Sequence, residues 1–209
     1  MTSISSITAP GNPYPNWKFK ALIQITNPVN IANFQHKLTL TWQPGMSDDF
    51  KDIRFAQLDG IKCNYYIESY TARTTATVWI KVPSTSQQFV KLYYGNGQAV
   101  SESSGSNTFV VFDDFSSNTI GTKWTADKAG LYSNYMNIAV ENGSLHTYQL
   151  TAADRGASFK LTSGLSSHIT STINLTYDTR NGRSPPYTFF YIGNNTSSRW
   201  DFGYLGSIS

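Results

Sequence analysis

Ala76-Thr77-Val78-Trp79-Ile80-Lys81-Val82 alternates two kinds of residue with a period of two, and that period admits one local structure. An extended strand sends successive side chains to opposite faces. Ala76, Val78, Ile80 and Val82 therefore share one face, and Thr77, Trp79 and Lys81 the other. A helix would scatter the same residues around its circumference. Pro83 has no backbone N–H and a fixed φ, so it ends the strand. Phe89 to Tyr94 follows with Val90, Leu92 and Tyr94 on one face and closes on the turn signal Gly95-Asn96-Gly97. The two runs read as antiparallel strands joined by a polar loop.

Shorter runs of the same kind recur along the chain: Ala21 to Thr26, His36 to Trp42, Phe109 to Phe115, Ile138 to Val140, Ile173 to Tyr177 and Phe189 to Ile192. Glycine, asparagine or proline punctuates them, and no stretch keeps helical spacing behind a capping residue. The expected fold class is all-β, with two antiparallel sandwich-like or jelly-roll-like domains. Residues 1–15 read as a flexible tail, because Pro13 and Pro15 in Asn12-Pro13-Tyr14-Pro15-Asn16 interrupt any regular element. Residues 16–97 form the first expected domain. Residues 98–108, mostly Ser, Gly and Asn, are too polar to pack a core and read as a linker. Residues 109–209 form the second.

Composition excludes several classes of function. Charged residues make up 14% of the chain, well below the roughly 25% usual for soluble domains, so hydroxyls and amides solvate the surface. The net charge of +3 is scattered. The one basic neighbourhood, Arg180, Arg183 and Arg199, is broken by Gly182, Pro185 and Pro186, and no nucleic acid is expected as a partner. A single cysteine, Cys63, allows no intrachain disulfide and suits a small buried apolar role better than a nucleophilic one. Met1 to Gly11 has neither the basic start nor the apolar stretch of a signal peptide. No apolar run approaches membrane-span length, so no membrane insertion by this chain is expected.

Several residue strings in the first half carry a resemblance: Trp17 with Lys20, Asp52-Ile53-Arg54-Phe55, Asp59-Gly60, Tyr66-Ile67-Glu68-Ser69, the Ala76 to Pro83 strand and Tyr93-Tyr94-Gly95-Asn96. Over Trp17 to Phe115 the chain resembles an uncharacterised β-rich domain family of archaeal and bacterial surface proteins. In that family a concanavalin-like, laminin-G-like jelly roll commonly follows, opening on a Phe-Asp-Asp-Phe element with a nearby Lys-Trp. Phe112-Asp113-Asp114-Phe115 and Lys123-Trp124 stand in those places, and Glu141-Asn142-Gly143-Ser144-Leu145 looks like the next strand pair. The resemblance implies an adhesive or recognition role at a surface and supplies no catalytic residues. The chain left for the second domain is short for a complete concanavalin-like sandwich, so that domain is either compact or cut short at Ser209.

Tests for chemistry point the same way. Hydrolysis of a glycoside needs two closely placed carboxylates, whereas Glu68, Glu102 and Glu141 are isolated, and the dense acids are Asp48-Asp49 with Asp52, and Asp113-Asp114. His36, His146 and His168 accompany no nucleophile motif, and no spacing suits zinc. Asp113 and Asp114 are candidate calcium ligands, or else carboxylates that bind the amides of a turn. Trp124 with Asp127, and Trp200-Asp201 with Tyr204, join an aromatic face to a carboxylate, the chemistry that recognises sugars. Asn142, Asn174, Asn194 and Asn195 head glycosylation sequons.

The expected function is that of a non-catalytic surface protein for adhesion or recognition, its partner a glycan or a neighbouring surface protein, located outside the cell or on its surface. One alternative is a structural subunit of a virion or filament that self-assembles, such as a spike, fibre or decoration protein. Another is the accessory carbohydrate-binding part of a polysaccharide-degrading enzyme.

Overall fold

The computed structural model describes residues 11–26, 28–85, 88–117, 124–127, 136–141, 143–149, 158–161, 188–195 and 198–204. The protein is all-β, and the chain divides into two compact units between Asp113 and Asp114. In the first unit the strands are β1 (Phe19–Gln24), β2 (Phe34–Thr41), β3 (Arg54–Ala56), β4 (Lys62–Thr71), β5 (Thr75–Val82) and β6 (Phe89–Tyr94). They form one curled antiparallel sheet in the order β1-β6-β3-β4-β5-β2. A single turn of helix, α1 (Gly105–Thr108), follows.

The alternation read from the sequence is the alternation of burial. Ala76, Val78, Ile80 and Val82 of β5 all face the core, and Val78 and Ile80 are wholly buried. Leu40 of β2, Phe55 of β3, Cys63 and Tyr65 of β4, and Val90 and Leu92 of β6 meet them there, with Phe50 and Ile53 packed in from the loop before β3. Each large aliphatic or aromatic side chain buried in this way contributes about 1.5–3 kcal/mol relative to leaving it exposed.

The expected pairing of β5 with β6 does not occur. β5 lies between β4 and β2, while β6 lies between β1 and β3. Both strands are interior to the sheet, so each has its two edges occupied by other partners. The residues between them also carry no tight-turn pair to force a hairpin. Phe109 to Phe115 is likewise not a strand. Phe109 caps α1, its N–H donating to Gly105 O at 2.8 Å, and its ring stacks on Phe112 at 5.9 Å.

Residues 98–108 stay on the first unit as a packed strap. Ser104 caps α1, its Oγ accepting from Asn107 N, and its own N–H donates to Tyr65 O at 2.9 Å. Phe109 and Phe112 cover Trp79 and Tyr66 on the outer face of the sheet, at 5.4 and 4.7 Å between ring centroids. Arg54 fastens the other end. Its guanidinium is buried and donates to Lys51 O at 3.1 Å, Ile53 O at 2.6 Å, Tyr65 Oη at 3.2 Å and Val100 O at 2.6 Å. Its Nε stands 3.0 Å from Glu102 Oε1, an ion-pair contact whose N–H is not aligned for a hydrogen bond.

Tyr14, placed with the tail by sequence, is also buried, packed between Trp17 and Tyr93 at 5.2 Å from each. An aromatic side chain with a surface to cover outweighs the prolines beside it.

The second unit contains three two-stranded antiparallel ladders among the described residues. β7 (Trp124–Asp127) pairs with β10 (Ser158–Leu161), β8 (Met136–Glu141) with β9 (Ser144–Gln149), and β11 (Thr188–Asn195) with β12 (Ser198–Tyr204). The strand pair expected around Glu141 to Leu145 is β8 and β9, where Glu141 faces Ser144 and Gly143 takes the positive φ of 68° that favours glycine. The expected strand at Ile173 to Tyr177, and the basic residues Arg180 and Arg183, lie outside the described residues. Among the described residues no helix is long and apolar enough to cross a membrane.

Candidate functional site

β4 is longer than its neighbours on one side. β3 pairs with it only at Lys62 and Cys63, and beyond that point no strand occupies this edge among the described residues. The strap takes over for a short distance: Ile67 N donates to Ser103 Oγ at 2.9 Å and Glu102 N to Tyr65 Oη at 3.3 Å. Further along, the edge is open. A groove of about 520 Å³ runs there between β4, the strap and the loop before β3, lined by Ile67 to Tyr70, Ser101, Ser103, Asp49 and Lys51.

The loop wall is fixed from below. Phe50 is fully buried with φ at +58°, a left-handed conformation that costs a bulky residue about 1 kcal/mol or more. Burial of its ring and a ring of hydrogen bonds offset that cost. Asp52, itself buried, accepts from Ser47 N at 2.9 Å and from Gly95 N at 2.7 Å, and its backbone carbonyl accepts from Trp17 Nε1. Asp48 holds Arg73 at 2.7 Å, and Asp49 Oδ1 accepts from Lys51 N at 3.2 Å.

The floor is set by a β-bulge. Ile67 stands opposite Val78 and Ser69 opposite Thr77, so Glu68 is the extra residue. A bulge re-aims the side chains around it. Here it puts Ser69 opposite Thr77, where Glu68 would otherwise stand, and Tyr70 opposite Ala76, where Ser69 would otherwise stand. Glu68 Oε2 accepts from Trp79 Nε1 at 3.2 Å and forms an ion pair with Lys37 Nζ of β2 at 2.8 Å, and Lys37 lies over the Trp79 ring at 5.2 Å. Oε1 has no partner among the described residues. Tyr70 is 53% exposed, and its ring rests edge-on against Phe50 at 6.2 Å.

Residues 49–127 match the model of a family described as a domain of unknown function, DUF2341. The match opens at the loop wall of the groove and contains every residue that lines it. It also covers most of the strings that carry the sequence resemblance, from Asp52 onward. No curated protein and no solved structure matches the chain.

The residues singled out from sequence lie elsewhere. Trp124 and Asp127 are the two ends of β7, and Trp124 stacks on Phe115 at 6.3 Å. Trp200, Asp201 and Tyr204 fall on β12, opposite Ile192, Tyr191 and Thr188. The two sets therefore belong to different ladders. Asp114 Oδ1 accepts from Ser116 N at 3.1 Å, the turn-binding role. No three His, Cys, Asp or Glu residues gather at a metal-binding distance among the described residues. Cys63 is buried, and desolvation pushes its thiol up to about 12, which keeps it protonated and unreactive.

Sequence reasoning passed over Lys51, Tyr70, Ser101 and Ser103, noted Asp49 only as one of a dense group of acids, and read Glu68 as isolated. Only Tyr66-Ile67-Glu68-Ser69, among the strings carrying the resemblance, marked the place.

Proposed function

We propose that this chain is a non-catalytic surface module for adhesion or recognition, acting outside the cell or on its surface, with a glycan as the ligand class. The open groove at the edge of β4 carries the reading. It presents hydroxyls, carboxylates, an amine and one half-exposed aromatic ring on a rigid support, the mixture that suits a polyhydroxylated ligand. The resemblance to surface-protein domains, the poverty of charge, and a second unit read as a concanavalin-like jelly roll all support the same assignment. A glycan array probed with the purified chain, with calcium and with chelator, tests it. Selective binding is the expected result, and a blank array from folded protein would refute the glycan assignment.

A second reading, a self-assembling subunit of a virion or filament, is favoured by β1. This strand is an edge of the sheet, with Leu22 64% exposed and Phe19 44% exposed, and exposed apolar edges invite strand pairing with another chain. Concentration-dependent mass in light scattering would support it, and a monomer at all concentrations would exclude it.

A further inference from the structure

We propose that Asn96 is a self-modifying residue: it closes on the Gly97 nitrogen, loses ammonia and takes up water to become aspartate or isoaspartate, which changes the turn that ties the strap to β6.

The turn brings the reacting atoms together. Tyr94 ends β6, and the chain turns back through Asn96, Gly97, Gln98 and Ala99, with Asn96 O accepting from Ala99 N at 3.0 Å. Within that turn Asn96 Oδ1 accepts from Gln98 N at 3.2 Å, the arrangement in which an asparagine side chain imitates a backbone turn. Closing that ring folds the side-chain carbonyl back over the Gly97 nitrogen, which lies between the two partners. Holding the reacting groups together removes the entropy cost of bringing them into contact.

Each hydrogen bond also favours the chemistry. Negative charge develops on Oδ1 when Cγ is attacked, and the Gln98 N–H is already directed at that oxygen. The bond from Ala99 draws electron density through the Asn96 carbonyl and makes the Gly97 N–H of the same peptide more acidic. That N–H has no partner among the described residues, and Gly97 is exposed, so hydroxide reaches it. Nothing stands within 4 Å of where a Gly97 side chain would begin, so no neighbour blocks the ring.

The steps balance with water as the one co-reactant. Hydroxide takes the Gly97 amide proton, the nitrogen bonds to Asn96 Cγ, and the side-chain nitrogen leaves as ammonia. Water then opens the cyclic imide. Attack at Cγ gives aspartate, whereas attack at the backbone carbonyl leaves Gly97 bonded through Cγ and gives isoaspartate. Both products carry a new carboxylate, and isoaspartate adds a methylene to the main chain. The added length enters just before Val100, whose carbonyl accepts from Arg54 at 2.6 Å, and so it acts on the anchor of the strap.

The test is peptide mapping by mass spectrometry of the full chain, aged at pH 7.5 and 37 °C both folded and in urea. In urea the turns are gone, and the three Asn-Gly pairs, at Asn96, Asn142 and Asn181, give the baseline. Native Asn96 is expected to convert at least as fast as it does in urea, at a rate that rises in proportion to hydroxide, with isoaspartate among the products. Gly97→Ala keeps the turn, because Gly97 stands outside the left-handed φ range and has space for a Cβ. Its methyl crowds the nucleophilic nitrogen, so the conversion is expected to be lost with Tm unchanged. In the isoaspartate form, separated by ion exchange, the Glu102 and Ser104 amides are expected to exchange faster with solvent. Asn96→Asp has the new charge on an ordinary backbone and is expected to leave those amides as they are.

An Asn96 that stays intact in the folded chain while it converts in urea would show that the turn protects it, and would overturn the proposal. Equal conversion in Gly97→Ala would overturn the route through the Gly97 nitrogen. Unchanged Glu102 and Ser104 amides in the isoaspartate form would overturn the effect on the strap.

Discussion

Replacing Arg54 by methionine keeps an apolar stem in place and deletes the buried guanidinium. Four hydrogen bonds go with it, to Lys51 O, Ile53 O, Tyr65 Oη and Val100 O, together with the stacking of the guanidinium over Trp17 at 5.0 Å. Deleting one partner of a buried charged network costs about 3–5 kcal/mol. The lower end applies here. Glu102, the ionic partner, is 56% exposed and is rehydrated when the arginine is lost, and water also reaches the partly buried carbonyls of Lys51 and Val100.

A loss of about 3 kcal/mol raises the opening equilibrium of the first unit by about 150-fold. Native-state hydrogen exchange at the amides of Val78 and Ile80 measures it, because β5 is paired on both sides and these two side chains are wholly buried in the core of the unit. Glu102→Gln is the control. Its charge is largely in water, so its effect is expected to stay under about 1 kcal/mol. An Arg54→Met chain whose β5 amides exchange less than about tenfold faster would refute the reasoning, since the strap would then be held by its aromatic contacts alone.

Gly105→Ala is expected to destabilise the strap by about 1–3 kcal/mol, because an added Cβ would stand 2.3 Å from the Phe112 ring; thermal unfolding and the Phe112 ring resonances report it. Cys63 is expected to resist Ellman's reagent at pH 8 in the folded chain and to react at once in denaturant, and fast labelling of the native protein would contradict its burial. Burial lowers the pKa of His36 below its ordinary value of 6.5, so the folded state binds fewer protons than the unfolded one between the two pKa values. Stability should therefore fall as pH drops through 6.5 and level off below the folded pKa. Two-dimensional NMR titration of His36 should show a midpoint under 6.5, and His36→Gln should flatten that part of the stability profile.

The all-β class and the core face of β5 were legible in the sequence because each depends on neighbours along the chain. Period-two alternation places Val78 and Ile80 inside whatever the partners are, whereas the β8–β9 pair was indicated only by the resemblance. The partners themselves were decided by tertiary structure. β5 and β6 are adjacent in sequence yet lie apart in the sheet, since interior strands take the neighbours that best cover the core. Residues 98–108 have the composition of a linker, and only the folded sheet supplies the Tyr65 carbonyl, the Arg54 guanidinium and the exposed Trp79 face that hold them down. The groove belongs wholly to this second category. Lys51, Tyr70 and Ser101 are distant and unremarkable in sequence, and they line one groove because β3 stops short of β4, a bulge at Glu68 shifts the strand by one residue, and the strap closes the far side.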